Sequence, residues 1–145
     1  MNWKAGVWIL FMVINSIFDL KKKRISLRIC VLAGLIGGAF GVWDVWQENV
    51  DFISAIKDVL IAMLPGIAVF VICFVSRQAI GAGDGIIVFI TGLYFGAMET
   101  AEILLLALIC SSLTGICLMI FKKVNKKTEI PFVPFLLAGY LLKMI

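Results

Sequence analysis

Two aspartates, Asp19 and Asp84, lie at the ends of long apolar segments, where a carboxylate is costly unless it meets water, protein or a ligand. Gly81, Gly83 and Gly85 surround Asp84 and remove side-chain bulk, so another backbone could approach it closely. If the two acids share one wet pocket, like-charge repulsion leaves one carboxylate and one carboxylic acid. Such a pair can activate a water and protonate a carbonyl oxygen. The chemistry indicated is peptide hydrolysis without a metal or a cofactor.

The composition determines which elements can position these acids. Of the 145 residues 63% are hydrophobic, and the mean hydropathy is +1.12, whereas apolar residues make up about half of a soluble domain. The chain contains no histidine, which excludes Ser–His and Cys–His triads and zinc–histidine sites, and its four cysteines form no CxxC pair. We therefore predict one membrane-embedded domain over residues 1–145, with no metal site.

Six apolar segments follow one another along this domain. They cover residues 3–18, 27–42, 59–75, 86–97, 103–121 and 131–142. A basic run after the first segment is the reverse of the order in a cleavable signal peptide, so that segment is also interpreted as a membrane helix. The sequence thus predicts an all-α integral membrane protein with six transmembrane helices and both termini outside the cell.

The charges support this layout and give it an orientation. Ten of the thirteen basic residues fall on one side of it: Lys21, Lys22, Lys23, Arg24, Arg28, Arg77, Lys122, Lys123, Lys126 and Lys127. Six acids fall on the other side: Asp44, Glu48, Asp51, Asp58, Glu99 and Glu102. The basic side is expected to be cytoplasmic. The basic runs then indicate orientation and contact with anionic lipid rather than nucleic-acid binding. All four tryptophans, Trp3, Trp8, Trp43 and Trp46, are predicted to join an interfacial aromatic belt on the outer side.

Helix lengths place the two acids at a similar depth. Asp84 precedes Met98 by about 21 Å of helix, and Asp19 follows Trp3 by about 24 Å, against a hydrocarbon core of about 30 Å. Both acids should therefore line a water-filled recess that opens to the cytoplasm. Two alternatives remain open: Asp19 could form an ion pair with the adjacent basic run, and Asp84 could cap a helix. A small transporter or ion pathway could also need two membrane acids.

Three landmarks together resemble a known family. They are Gly81-x-Gly83-Asp84, the aspartate Asp19 ahead of a basic stretch, and the C-terminal element Pro131-Phe132-Val133-Pro134-Phe135. The combination resembles the type IV prepilin peptidases, membrane aspartic proteases of the GxGD class. The resemblance implies that Asp19 and Asp84 are the catalytic pair. It also implies cleavage, at the cytoplasmic membrane face, of pilin-like precursors with a basic leader and a hydrophobic N-terminal helix.

The sequence also departs from the family pattern. Ser26-Leu27 stands where the family has Pro-Asn, and Ile86 stands where it has a lysine. The paired CxxC motifs of the larger members are missing, so we expect peptidase activity without methyltransferase activity. An intramembrane protease of the signal-peptide-peptidase or presenilin type shares GxGD and is the alternative within enzymes.

Overall fold

The computed structural model describes residues 3–22, 27–48, 51–75, 82–121 and 131–145, with residues 22, 44–48, 52 and 82 described by their backbone only. Every regular element in these ranges is an α-helix. The helices are α1 (Trp3–Lys22), α2 (Leu27–Glu48), α3 (Phe52–Val75), α4 (Ala82–Ile120) and α5 (Val133–Lys143). Three stretches are long and apolar enough to cross a membrane: Trp3–Lys21, Ile53–Val75 and Gly83–Ile120. The prediction of an all-helical chain is confirmed for the described residues.

The long helix α4 is interrupted at Gly96. This residue has φ 79° and ψ 176°, a backbone conformation that is essentially restricted to glycine. Two helical halves, residues 82–95 and 97–120, therefore meet there at an angle. The contacts that each half makes with its neighbours give their directions.

The first half of α4 runs antiparallel to α1. Trp3 begins α1, Phe40 lies in the second half of α2, and their rings are 4.5 Å apart. Helices α1 and α2 are therefore antiparallel. A β-carbon on Gly34 of α2 would lie 3.8 Å from Ile90, and one on Gly37 would touch Tyr94. Residues later in α2 thus contact residues later in α4, so α2 and the first half of α4 are parallel.

The second half of α4 runs the other way. Helix α5 is antiparallel to α1, because Val133 contacts Asp19 while the Tyr140 ring lies 4.7 Å from that of Trp8. The second half of α4 is in turn antiparallel to α5. Gly139 lies against Ile103 and Ala107, and Lys143 pairs with Glu102 at 2.8 Å and with Glu99 at 3.5 Å. Gly96 therefore reverses the chain between the predicted fourth and fifth segments. Whether each segment crosses a membrane stays a prediction.

Helices α1 to α4 extend beyond the apolar segments that predicted them. Helix α2 continues to Glu48 and α3 begins at Phe52, so most of the region 43–58, which has the composition of an outer loop, is helical. Glu99 and Glu102, expected at the outer turn, are already in the second half of α4. Hydropathy marks where a helix leaves hydrocarbon, whereas backbone hydrogen bonding continues into polar residues.

An aromatic cluster holds α1, α4 and α5 together. Trp8 is fully buried, its indole Nε1 donates to Thr91 Oγ1 at 3.2 Å, and its ring lies 5.2 Å from that of Phe95. The prediction that Trp8 belongs to an interfacial belt is therefore wrong. Its position along the sequence gives depth but not which face of α1 is covered by other helices. Trp3, by contrast, is 62% exposed.

We expect replacement of Gly96 by alanine to destabilise the protein. Nothing lies within 4 Å of a β-carbon at this position, so the cost is that of the backbone conformation, about 1–3 kcal/mol. Gly38→Ala is the matched control: Gly38 is helical with the same open space, and the change there should stabilise by about 0.5–1 kcal/mol. Thermal unfolding in detergent measures both, and equal shifts would contradict the assigned turn.

Candidate active site

Asp19 is buried in the last turns of α1. Asp19 is only 7% exposed, and its Oδ2 accepts a hydrogen bond of 3.2 Å from the backbone N–H of Val133. Val133 is the first residue of α5. A buried carboxylate needs such donors, and the N-terminus of a helix favours negative charge. The end of α5 is thus the partner that the fold provides for Asp19.

The local sequence of α5 leaves this N–H available. Phe132, at the N-cap, offers no side-chain hydrogen bond to the helix, and Pro134 has no N–H. The amides of Phe135 and Leu136 donate to the carbonyl of Phe132 at 2.9 and 3.2 Å. The amides of Val133 and of the N-cap residue Phe132 can therefore serve an acceptor from another helix, and both donate to Asp19. The predicted C-terminal element, Pro131 to Phe135, is in this way placed beside Asp19.

Asp84 lies in the first turn of α4 and is half-buried. Gly83 lies in the same turn, while Gly81 is outside the described residues. Gly85 is buried, and a β-carbon on it would lie 3.3 Å from the Phe70 ring of α3. The missing side chain of Gly85 thus allows α3 and α4 to pack closely. Its predicted role in clearing space for a substrate backbone stays a prediction, as does that of Gly81 and Gly83.

The two acids lie toward the same end of the helices. The hydrogen bond between Trp8 and Thr91 fixes a common level for α1 and the antiparallel first half of α4. From that level Asp19 is about 16 Å away along α1, and Asp84 about 10 Å away along α4, in the same direction. Their depths therefore differ by roughly one helical turn. The recess itself stays a prediction, since residues 76–81 and 122–130 lie outside the described part of the chain.

Further polar side chains lie one turn from Asp19 inside α1. Asn15 is fully buried and its Nδ2 donates to the carbonyl of Phe11 at 2.9 Å. Neither its Oδ1 nor the hydroxyl of the buried Ser16 has a partner among the described protein atoms. The sequence analysis missed these residues, although an Asn-Ser pair inside an apolar segment is a readable signal. It also missed the Val133 amide, for which the signal is a Pro-containing helix start without a capping side chain.

An open cleft of about 440 Å³ lies at the opposite end of the molecule, lined by Lys4, Tyr140 and Lys143 among others. Glu99 and Glu102 pair with Lys143 there. This cleft is separated from the two aspartates by the aromatic cluster around Trp8. The cleft is therefore not where two-aspartate chemistry could take place.

These features define a helical membrane protein with two carboxylic acids near one end of its helices. Comparison with known families is specific: residues 6–120 match the type IV leader peptidase family. The chain belongs to this family and is a peptidase of the prepilin-processing class. No curated protein and no solved structure matches the chain significantly. The family match favours a peptidase over the transporter alternative, and it ends before α5.

Proposed function

We propose that the protein is a membrane aspartic endopeptidase that removes the basic leader from type IV pilin-like precursors, with Asp19 and Asp84 as its catalytic pair. The observation that carries the proposal is the similar depth of the two acids toward one end of α1 and α4. Family membership supports the substrate class. The reaction needs no metal and no cofactor, and no methyltransferase activity accompanies it.

The two carboxyl groups divide the proton transfers of hydrolysis. The ionised one takes a proton from water as the water oxygen bonds to the scissile carbonyl carbon. The protonated one gives its proton to the carbonyl oxygen, which produces a neutral tetrahedral intermediate. When the C–N bond breaks, the leaving nitrogen receives a proton from the first group and the second recovers its own. One proton thus remains shared by the pair at the end of each cycle.

The basic end of the molecule is proposed to face the cytoplasm. Helices α1, α3 and α4 all end toward the side where Asp19 and Asp84 are found, and most of the basic residues follow these helix ends in the sequence. This distribution supports an active site at the cytoplasmic membrane face, with both termini outside. The substrate would then present its leader from the cytoplasm and its apolar helix to the membrane.

A peptide assay tests the activity and its orientation together. The probe is a synthetic peptide with a basic leader, a glycine and an apolar helix, added to sealed membrane vesicles that contain the protein. We expect a single cleavage before the apolar helix, read by mass spectrometry, in inverted vesicles and not in right-side-out vesicles. A peptide whose leader lysines are replaced by glutamine is the control. Cleavage within the apolar helix would instead indicate an intramembrane protease. Absence of cleavage in both inverted and right-side-out vesicles would overturn the proposal.

A further inference from the structure

Helix α5 lies beyond the residues that match the family, and yet it supplies a hydrogen-bond donor to Asp19. An aspartate side chain on the last turns of a helix can rotate about two bonds. A bond to its Oδ2 from a fixed amide limits that rotation and leaves Oδ1 in a defined direction. The question is whether the amide itself is held firmly enough to act in this way.

Helix α5 packs closely against α4. Val133 and Leu136 are 1% and 0% exposed, so one face of the first turn of α5 is fully buried, while Pro134 and Phe135 are half-buried. One turn further, a β-carbon on Gly139 would lie 2.6 Å from the carbonyl oxygen of Ile103 and 2.9 Å from the amide nitrogen of Ala107. Backbone lies directly against backbone at this point, and such a contact permits little sliding. At the far end Lys143 pairs with two glutamates of α4.

The sequence of the first turn of α5 also limits which backbone N–H groups can donate to Asp19. Pro134 has no N–H, and the amides of Phe135 and Leu136 are taken by the carbonyl of Phe132. The donors that remain for Asp19 are the backbone amides of Val133 and of the N-cap residue Phe132, and a backbone group has no rotamers to lose. A backbone amide at a helix start is therefore a more exact positioning group than a lysine or serine side chain would be.

We propose that α5 is a positioning element for catalysis: its first backbone N–H, at Val133, orients the carboxyl group of Asp19 for the reaction. This inference rests on the proposed function and extends it to the C-terminal element. The element contacts the catalytic acid through its backbone, so its prolines and phenylalanines act by fixing the start of α5.

The test removes one N–H and keeps the side chain. Val133 is replaced by the α-hydroxy acid of the same side chain, which turns the amide into an ester. The same replacement at Leu136 is the control, because its N–H donates only to Phe132. Both esters should lower thermal stability to a similar extent. For the Val133 ester we expect kcat to fall by about 10- to 100-fold with KM unchanged, and for the Leu136 ester both should stay near wild type.

Each result is decisive. Wild-type kcat in the Val133 ester, or an equal loss in both esters, would overturn the positioning role, while cleavage by the wild-type protein would leave the proposed function intact. If the Val133 ester does not fold, both esters are measured in the Gly38→Ala background, which is expected to be more stable. A Val133 ester that fails to fold there, beside a folded Leu136 ester, would assign the contact to folding alone and overturn the inference.

Discussion

Asp19→Asn and Asp84→Asn will each abolish peptide hydrolysis while leaving the protein folded. An amide can neither accept a proton from water nor cycle through the carboxylic acid form. The fold should survive because the amide oxygen of an asparagine at position 19 can still accept the hydrogen bond from Val133. Loss of a group that transfers the proton costs at least about 10²-fold in rate. Residues that act as one catalytic unit are not additive, so the double variant should be no worse than either single one.

The peptide assay on detergent-solubilised protein measures these rates, with thermal unfolding as the test of folding. Asp58→Asn is the matched control, since Asp58 is an exposed acid on α3 that lies outside the candidate site. Asp19→Ala distinguishes the structural role of this residue from its catalytic role. It leaves the Val133 amide buried without its acceptor and should lower the free energy of unfolding by about 1–3 kcal/mol. Retention of more than about a tenth of the wild-type rate in either asparagine variant would refute the two-aspartate mechanism.

Gly92→Ala will cause the largest loss of stability among alanine substitutions of the described glycines. A β-carbon on Gly92 would fall on the carbonyl oxygen of Ala62, where α3 and α4 are in backbone contact. A carbonyl oxygen in a helix cannot rotate away as a side chain can, so the two helices must separate. Overpacking of this kind costs about 1–3 kcal/mol and occasionally more, and we expect the upper part of that range.

Two neighbouring substitutions give this prediction its controls. Gly66→Ala lies at the same interface, where a β-carbon would be 2.6 Å from the backbone nitrogen of Phe89, and it should be nearly as harmful. Gly41→Ala, with nothing within 4 Å, should be neutral or stabilising. Thermal unfolding of the three variants in one detergent gives the order. An equal shift for Gly92→Ala and Gly41→Ala would mean that α3 and α4 do not pack as closely as described.

Much of the architecture follows from the sequence by local rules. Apolar runs in a chain of this hydropathy favour helices, because hydrocarbon leaves an open chain no other way to satisfy its backbone groups. The two acids Asp19 and Asp84 can be identified in the sequence because a carboxylate beside hydrocarbon is energetically costly. The helical segments were therefore predictable in type and order, while their ends were not, since helix α2 continues to Glu48 through polar residues.

What lies on each face of a helix was decided by the tertiary structure. Trp8 looks like an interfacial residue in the sequence, yet it is buried against Thr91, 83 positions away. In α1 the polar residues Asn15, Ser16 and Asp19 are buried together with Trp8, while apolar residues such as Leu10 and Leu20 are exposed. This is the reverse of the pattern in a surface helix of a soluble protein, so the usual rule would assign the faces of α1 wrongly.

The environment of Asp19 shows the same division. Its residue type, depth and basic neighbours follow from the sequence, which indicates an acid that could take part in catalysis. One of its hydrogen-bond partners is a backbone amide 114 positions away, on a helix whose position depends on Gly139 packing against the backbone of α4. A backbone donor has no residue type of its own, and contacts between distant segments leave no local pattern. The sequence therefore determines which groups could react, and only the packing of α1, α4 and α5 determines where Asp19 is held.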